Sequence, residues 1–367
     1  MIEQRLAKLR AVLSAQGADT ALISHPGNRR YFSGFPAGDH APDESSGMLV
    51  VSETDARLFV SPTNLPFAQA TVLAPVTAVP WERPWPNYLG KAMSDAGANV
   101  VLFEDYALTV ADFNGITGAA PHLTLTPTGS AFHDIRAVKD EAELAAIQEA
   151  ARITDAAFTA ATNDLAPGIT EKELAWRLDS LMREFGADGV AFGTCVAAGQ
   201  NGARPHHEPT DRPIAAGEPV VIDMGAVANG YCADLTRTII LGETPPEFTE
   251  RYNIVLSAQG AALSGIRAGM SGREADLLAR AVIDDAGYAQ QFFHGLGHGV
   301  GILIHEAPSL GSRSEDKLMQ GHVVSVEPGI YLDDWGGIRI EDLVVVTEEG
   351  VRVLSHAPKY GESARHD

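Results

Sequence analysis

Two carboxylates in this sequence stand where apolar strands should be. Asp223 closes the run VVID and precedes Met224-Gly225, and Asp234 lies eleven residues on, inside YCADLTRT. A charge at the end of a buried strand is costly unless something pairs with it. Between the two sits Asn229-Gly230, a strong signal for a two-residue hairpin turn. With that turn Ala228 pairs with Tyr231, and Asp223 pairs with Thr236, two residues from Asp234. Strand side chains alternate with a period of two, so both Asp side chains fall on one face. As diagonal neighbours they sit within roughly 7–8 Å of each other. Carboxylates that close repel unless a proton or a cation lies between them. A strand-end Asp and a separate loop-bonded Asp account for the pair equally well.

Further candidates follow downstream. FFHGLGHGVG places His294 and His298 in a glycine-rich loop, where the backbone can approach closely and a side chain can point into a cleft. ILIHEAP adds His305, and of the three histidines His294 has the weakest case. Glu327 closes the β-like run VVSVE and is followed by Pro328. In GGIRIEDLVVV, Arg339 and Glu341 are two apart on an expected strand and share a face, while Asp342 points the other way. A buried Arg–Glu ion pair is the plain alternative for that element. Taken together, Asp223, Asp234, His298, Glu327 and Glu341 supply four carboxylates and one imidazole, a set suited to a pair of divalent ions.

The elements that must position these groups fall into two parts. Residues 1–16 form an amphipathic helix with Leu6, Leu9 and Leu13 on one face, stopped by Gly17. β-like runs follow at 20–24, 47–52, 56–61 and 99–104, separated by Pro/Gly-rich loops that include HPGN and FPAGDHAPDESSG. This first part is a small α/β domain without a metal-type ligand cluster. Asp140 and Glu143 then form a capping-box pattern that opens a long helix, with Leu144, Ile147, Ala151 and Phe158 on one face. Thr170 and Glu173 open a second helix at about 170–185 in the same way. We place the domain boundary so that residues 1–134 form the first domain and 135–367 the second. Within the second, helices are expected at 247–266 and 271–286, and VVIDMGA, YCADLTRTIIL, HVVSVEPGIYL, IRIEDLVVV and VRVLS are β-rich. The last residues, 361–367, form a polar tail.

The bulk properties bound the remaining choices. The 367 residues suit two domains, and 45% hydrophobic content supports a sizeable core. A net charge of −21 repels phosphate backbones and anionic membranes, so neither nucleic acid nor membrane is an expected partner. The cysteines, Cys195 and Cys232, are too few for a disulfide framework, and a reduced cytoplasm is the expected setting. The N-terminal stretch lacks the apolar core of a signal peptide. No run approaches the roughly 20 apolar residues that span a membrane.

The strings NGARPHHEPT, VIDMGAVANGYCADLTRT, HGLGHGVGILIHEAP, SVEPGIY and GIRIEDLV resemble, in order and spacing, the creatinase/methionine-aminopeptidase family of pita-bread metallopeptidases. The resemblance spans roughly 135–355 and is strongest to the Xaa-Pro peptidase branch, aminopeptidase P and prolidase. The first domain resembles the creatinase-like N-terminal domain of that branch more loosely. The fold class implied is α+β: a C-terminal pita-bread domain with a smaller N-terminal α/β domain. The resemblance implies that Asp223 binds one metal, that Asp234 and Glu341 bridge two, and that His298 and Glu327 complete the other. A hydroxide between the ions would attack the substrate, with Glu327 as general base. His206, which directly follows Pro205 and is preferred over the adjacent His207, matches the family's proton-shuttling histidine. His305 matches the histidine facing the developing oxyanion, and Arg339 orients the carboxylates from behind.

All five ligand positions are kept, whereas the non-catalytic members of the wider family have lost some, so a working metal site is expected. Hard oxygen ligands favour manganese; cobalt and zinc also fit. The function implied is hydrolysis of the N-terminal Xaa-Pro bond of short peptides, by a chain that assembles as a homodimer. A same-fold hydrolase acting on another C–N bond, of a cyclic or modified amino acid, is the alternative. A non-catalytic binding protein is a further one.

Overall fold

In the computed structural model, which describes residues 1–41 and 43–361, the chain separates into two compact units, Met1–Arg136 and the part from Ala137 onward. The tail at 361–367 lies, from residue 362, outside the described residues. Arg136 belongs with the first unit for a visible reason. Its buried guanidinium donates to Asn28 Oδ1 at 2.7 Å and faces His133 Nδ1 at 2.8 Å.

The first unit is built on a six-stranded sheet. Its strands are β1 (Thr20–Ile23), β2 (Met48–Ser52), β3 (Ala56–Val60), β4 (Thr77–Pro80), β5 (Val100–Phe103) and β6 (Thr124–Pro127), in the order β4-β3-β2-β1-β5-β6. β4 and β6 were not expected from the sequence. Both are edge strands that end in proline and are only half-buried, so neither carries the apolar alternation that betrays a central strand. The HPGN stretch is also not a loop. It opens the helix Pro26–Ser33, with Pro26 in the first turn, where its missing N–H costs nothing. His25 caps that helix by accepting the Gly27 N–H at 3.1 Å.

In the second unit the capping boxes at Asp140/Glu143 and Thr170/Glu173 are formed, and they start the helices Glu141–Thr162 and Glu171–Glu184. The helices Pro246–Gly265 and Gly272–Asp285 complete the set used below. The strands are β7 (Gly189–Val190), β8 (Cys195–Ala198), β9 (Pro219–Met224), β10 (Ala226–Ala228), β11 (Tyr231–Cys232), β12 (Leu235–Ile240), β13 (Gly297–Gly299), β14 (Glu306–Leu310), β15 (Val323–Val326), β16 (Gly329–Leu332), β17 (Gly336–Arg339), β18 (Asp342–Val346) and β19 (Val351–Val353). They form four small sheets: β11-β10-β7, β12-β9-β8, β14-β13-β15-β18-β19 and β16-β17.

Alternation explains how these sheets are covered. On β18, Leu343 and Val345 join a core with the helices Glu141–Thr162 and Glu171–Glu184, while Val344 and Val346 join a second core with the helices Pro246–Gly265 and Gly272–Asp285. On β9, Val220, Ile222 and Met224 pack into the first of these cores. That leaves Asp223 on the opposite face.

Candidate metal centre

The hairpin expected from Asn229-Gly230 forms: Asn229 has φ 52°, Gly230 φ 78°, and Ala228 pairs with Tyr231. The register continues unbroken, so Asp223 pairs with Thr236. Asp223 and Asp234 therefore share a face, and Glu341 joins them. One carboxylate oxygen from each of the three lies within 4.8 Å of the others.

Glu341 arrives there by a route that differs from expectation. IRIEDLVVV is not one strand. β17 ends at Arg339 and β18 starts at Asp342, in different sheets, so Ile340 and Glu341 form the step between them. The Glu341 N–H donates to the Thr236 carbonyl at 3.0 Å, and Thr236 Oγ1 donates to Glu341 Oε2 at 2.6 Å. No Arg339–Glu341 ion pair is seen. Arg339 Nη2 instead donates to Asp223 Oδ2 at 2.5 Å, Nε to Thr236 Oγ1 at 2.9 Å, and Nη1 to Tyr331 Oη at 3.1 Å. Glu341 and Arg339 are both almost fully buried.

His298 lies on β13 and not in a free loop. The glycines flanking it have a packing reason. A Cβ at Gly297 would overlap the Ser325 carbonyl oxygen, and one at Gly299 would overlap that of Ala307. The His298 backbone N–H donates to Ser325 Oγ at 3.0 Å, and that hydroxyl donates to Glu327 Oε1 at 3.0 Å, so one serine sets both residues. His298 Nδ1 donates to the Gly299 carbonyl at 3.1 Å. A carbonyl only accepts, so Nε2 is the atom turned to the site, as in metal-binding histidines whose other nitrogen is tied back. It lies 3.3 Å from Glu327 Oε1 and 3.6 Å from Asp234 Oδ2.

The electrostatics state what these groups lack. Burial, followed by repulsion from Glu341, Asp223 and Glu327, pushes the Asp234 carboxyl well above the usual range. Burial, followed by repulsion from Glu327 and Asp223, does the same to Glu341. Burial also raises Glu327, but His298, His294 and Arg339 outweigh it and hold the group at about 2. Asp223 Oδ1 and Glu341 Oε1 are buried with no hydrogen-bond partner. Buried carboxylate oxygens without donors, crowded against one another, need added positive charge. Hard oxygens with one imidazole nitrogen fit divalent cations, and Asp223, Asp234, His298, Glu327 and Glu341 are the residues that can hold them.

The site opens into a cleft of about 890 Å³ that is also lined by His206, His305, Phe192, Phe293 and His294. His305 packs edge-on against His298, with ring centroids 4.3 Å apart. Burial and the charge of His298 lower the His305 pKa. The adjacent histidines of ARPHHEPT both line the cleft but differ in burial. His206 is exposed to the cleft, and His207 is buried with Nε2 3.0 Å from Glu171 Oε2.

Sequence reasoning passed over two members of this site. His294, the weakest of the three histidines by sequence, lines the cleft with Nε2 2.9 Å from Tyr331 Oη, and burial lowers its pKa. Tyr331 links His294 to Arg339. The signal for it was period two along β16: Gly329 and Tyr331 share a face, on the strand that leaves Glu327-Pro328.

Known proteins resemble this chain along nearly its whole length. The model of metallopeptidase family M24 matches residues 145–348, and that of the creatinase/prolidase N-terminal domain matches residues 5–138. The Xaa-Pro dipeptidase of Pyrococcus furiosus is 35% identical over 356 residues, covering 96% of this chain and 98% of that protein. Among solved structures, an Xaa-Pro dipeptidase from Bacillus anthracis has a TM-score of 0.91 at 35% identity, covering 98% of this chain and 99% of that one. An X-Pro aminopeptidase from Thermotoga maritima has a TM-score of 0.88 at 34% identity, covering 96% and 98%. With a creatinase/prolidase N-terminal domain ahead of a pita-bread domain, and a carboxylate-rich centre that calls for divalent metal ions, the chain belongs to metallopeptidase family M24.

Proposed function

We propose that this protein is a metal-dependent Xaa-Pro peptidase, which hydrolyses the bond between an N-terminal residue and proline. The observation that carries the proposal is the trio Asp223, Asp234 and Glu341, with its unpartnered buried oxygens, beside His298 and Glu327 at the floor of one cleft. Both a dipeptidase and an aminopeptidase of this specificity stand among the similar structures, so substrate length is left to experiment.

In this reading Asp223 would hold one metal, Asp234 and Glu341 would be shared by two, and His298 and Glu327 would complete the second. Two divalent ions bound there supply Lewis acidity and a water acidified enough to attack at neutral pH. We assign manganese, because carboxylate oxygens outnumber the single nitrogen, with cobalt and zinc as the alternatives to be compared.

The chain's own residues do the rest. His298, His294 and Arg339 hold Glu327 toward its ionised form, the state that a ligand and a proton acceptor both require. It takes the proton of the attacking water and passes it to the proline nitrogen as that nitrogen leaves. His305, held toward its neutral form, donates to the carbonyl oxygen as charge develops there. His206, exposed in the cleft, contacts the substrate and shuttles protons. Arg339 is anchored by Asp223, Thr236 and Tyr331 and holds Asp223 in place. A bond to proline offers no N–H, so recognition must come from the cleft walls and the substrate's ends. On the family resemblance we take the working form to be a homodimer and the domain boundary to lie near residue 135. Both cysteines are buried and neither is in a disulfide among the described residues, which fits a reducing cytoplasm.

The test is a manganese-reconstituted assay on three substrates: an Xaa-Pro dipeptide, a longer peptide with proline second, and a Met-initiated peptide without proline. Hydrolysis of one or both proline substrates, with the third untouched, is expected. Cleavage of the Met peptide alone would sink the proposal.

A further inference from the structure

One carboxylate outside the metal centre collects more hydrogen bonds than any catalytic role would need. Glu171 is the first residue of the helix Glu171–Glu184, and its side chain is fully buried. Its Oε1 accepts from the Ala198 N–H at 2.8 Å and from Asn201 Nδ2 at 2.9 Å. Its Oε2 accepts from the Thr210 N–H at 3.0 Å and from Thr210 Oγ1 at 2.6 Å, and faces His207 Nε2 at 3.0 Å. Two carboxylate oxygens offer about four lone-pair sites, so this acceptor is saturated. Burial alone would raise the carboxyl, but these bonds outweigh it and hold the group at about 2.

The five donors all belong to one segment, 198–210, and two of them bracket Pro205 and His206 in sequence. The segment starts at Ala198, the last residue of β8, and apart from that residue and the short 3-10 turn Gly199–Ala203 it lies in no helix or strand. The segment is also fastened by close packing against β17, where a Cβ on either Gly202 or Gly337 would strike the other residue's backbone, and by Arg339 Nη1, which donates to the Pro205 carbonyl at 3.5 Å. The backbone of the same helix end also grips the far side, since the Glu171 N–H donates to the Arg212 carbonyl and the Lys172 N–H to the Thr210 carbonyl. His207 is tied into the clamp where it borders the cleft, and the adjacent His206 is exposed there.

We infer that Glu171 is a positioning residue that acts through His206: it fixes the 198–210 segment so that His206 meets the substrate. The inference rests on the role given to His206 in the proposed reaction. A carboxamide at position 171 keeps one acceptor oxygen and turns an NH₂ toward donors, so the segment is expected to shift rather than unfold. A displacement of about 1 Å at a reacting group can cost roughly 10²-fold in rate.

The experiment is a double-mutant cycle on the manganese-loaded chain with an Xaa-Pro substrate, with bound metal and Tm measured alongside. Glu171→Gln is expected to lower kcat by about 10- to 100-fold, with KM changed by less than about threefold and metal content unchanged. In the His206→Ala background the same change should cost less than about threefold more, because the group it serves is gone. Losses that multiply in full, or wild-type kcat in Glu171→Gln, would overturn the inference. Should Glu171→Gln fail to fold, Thr210→Val removes the 2.6 Å bond to Glu171, together with the one that Thr210 Oγ1 accepts from the Arg212 N–H, and keeps the carboxylate's other four donors. Its few-fold kcat loss must likewise vanish in the His206→Ala background, and multiplication there overturns the inference equally. Wild-type kcat in His206→Ala would instead bring down the assignment of His206, and the inference with it.

Discussion

Replacing Glu341 or Asp234 with the matching amide, Glu341→Gln or Asp234→Asn, should cost roughly 10⁴-fold or more in kcat/KM and abolish tight binding of the second ion. With Asp223 these two residues form the trio whose ligand atoms lie within 4.8 Å of one another, and in the proposed arrangement each is shared by both ions. The same substitutions should not harm the metal-free fold. There Glu341 Oε1 has no partner, and the group is crowded by Glu327 and Asp223. Removing its charge relieves repulsion, so metal-free Glu341→Gln should melt no lower than the metal-free wild type. What it should lose is the rise in Tm when manganese is added.

The pH dependence has a definite sign. A carboxyl raised in the folded state holds a proton that the unfolded chain releases above its ordinary value, 3.8 for Asp and 4.5 for Glu. This part of the metal-free protein's stability is present below those values. It is lost as the pH climbs through the raised values of Asp234 and Glu341. Glu341→Gln should flatten that slope. A Tm of the metal-free variant well below that of the wild type at pH 7 would contradict the account.

Arg339→Met should be the second most damaging change, and damaging in a different way. The guanidinium is buried, is the ion-pair partner of Asp223, and hydrogen-bonds Thr236 and Tyr331. Removing one member of a buried pair costs about 3–5 kcal/mol, because the other charge is left uncompensated. The metal-free variant should therefore lose stability, unlike Glu341→Gln, and added metal should restore part of it by supplying charge beside Asp223. Activity should fall by about 10- to 100-fold, the usual cost of losing a group that orients a ligand. Metal affinity should change less than kcat, because removing a guanidinium also removes its repulsion of a nearby dication. Arg339→Lys should recover little. One ammonium cannot reach Asp223, Thr236 and Tyr331 together as the planar fork does. Near-complete recovery with lysine would show that charge alone matters at this position.

What was legible in advance and what was not divides along physical lines. The Asn229-Gly230 turn is local chemistry, and from it the register, the Asp223–Thr236 pairing and the shared face of Asp223 and Asp234 all followed. The helix starts at Asp140 and Thr170 were equally local. The break at Ile340-Glu341 was not legible. Nothing in the apolar run IRIEDLVVV says that its two halves join different sheets, since that is decided by partners far away in sequence. The edge strands β4 and β6 were missed because exposed strands lack alternation. Glu171 was visible only as a charge in the first turn of a helix; its donors lie 27 to 39 residues downstream. His206 came from family resemblance alone, and His305, a candidate from the run of three histidines, took its role from the same resemblance, because the sequence itself holds nothing that points either ring at the carboxylates.

The central claim is that five residues hold two ions. Anomalous diffraction from crystals of the manganese-loaded protein tests it most directly. The account predicts two manganese peaks per chain, with Asp234 and Glu341 coordinating both, Asp223 coordinating one, and His298 and Glu327 the other. A single peak, or peaks that Asp234 and Glu341 do not share, would contradict it.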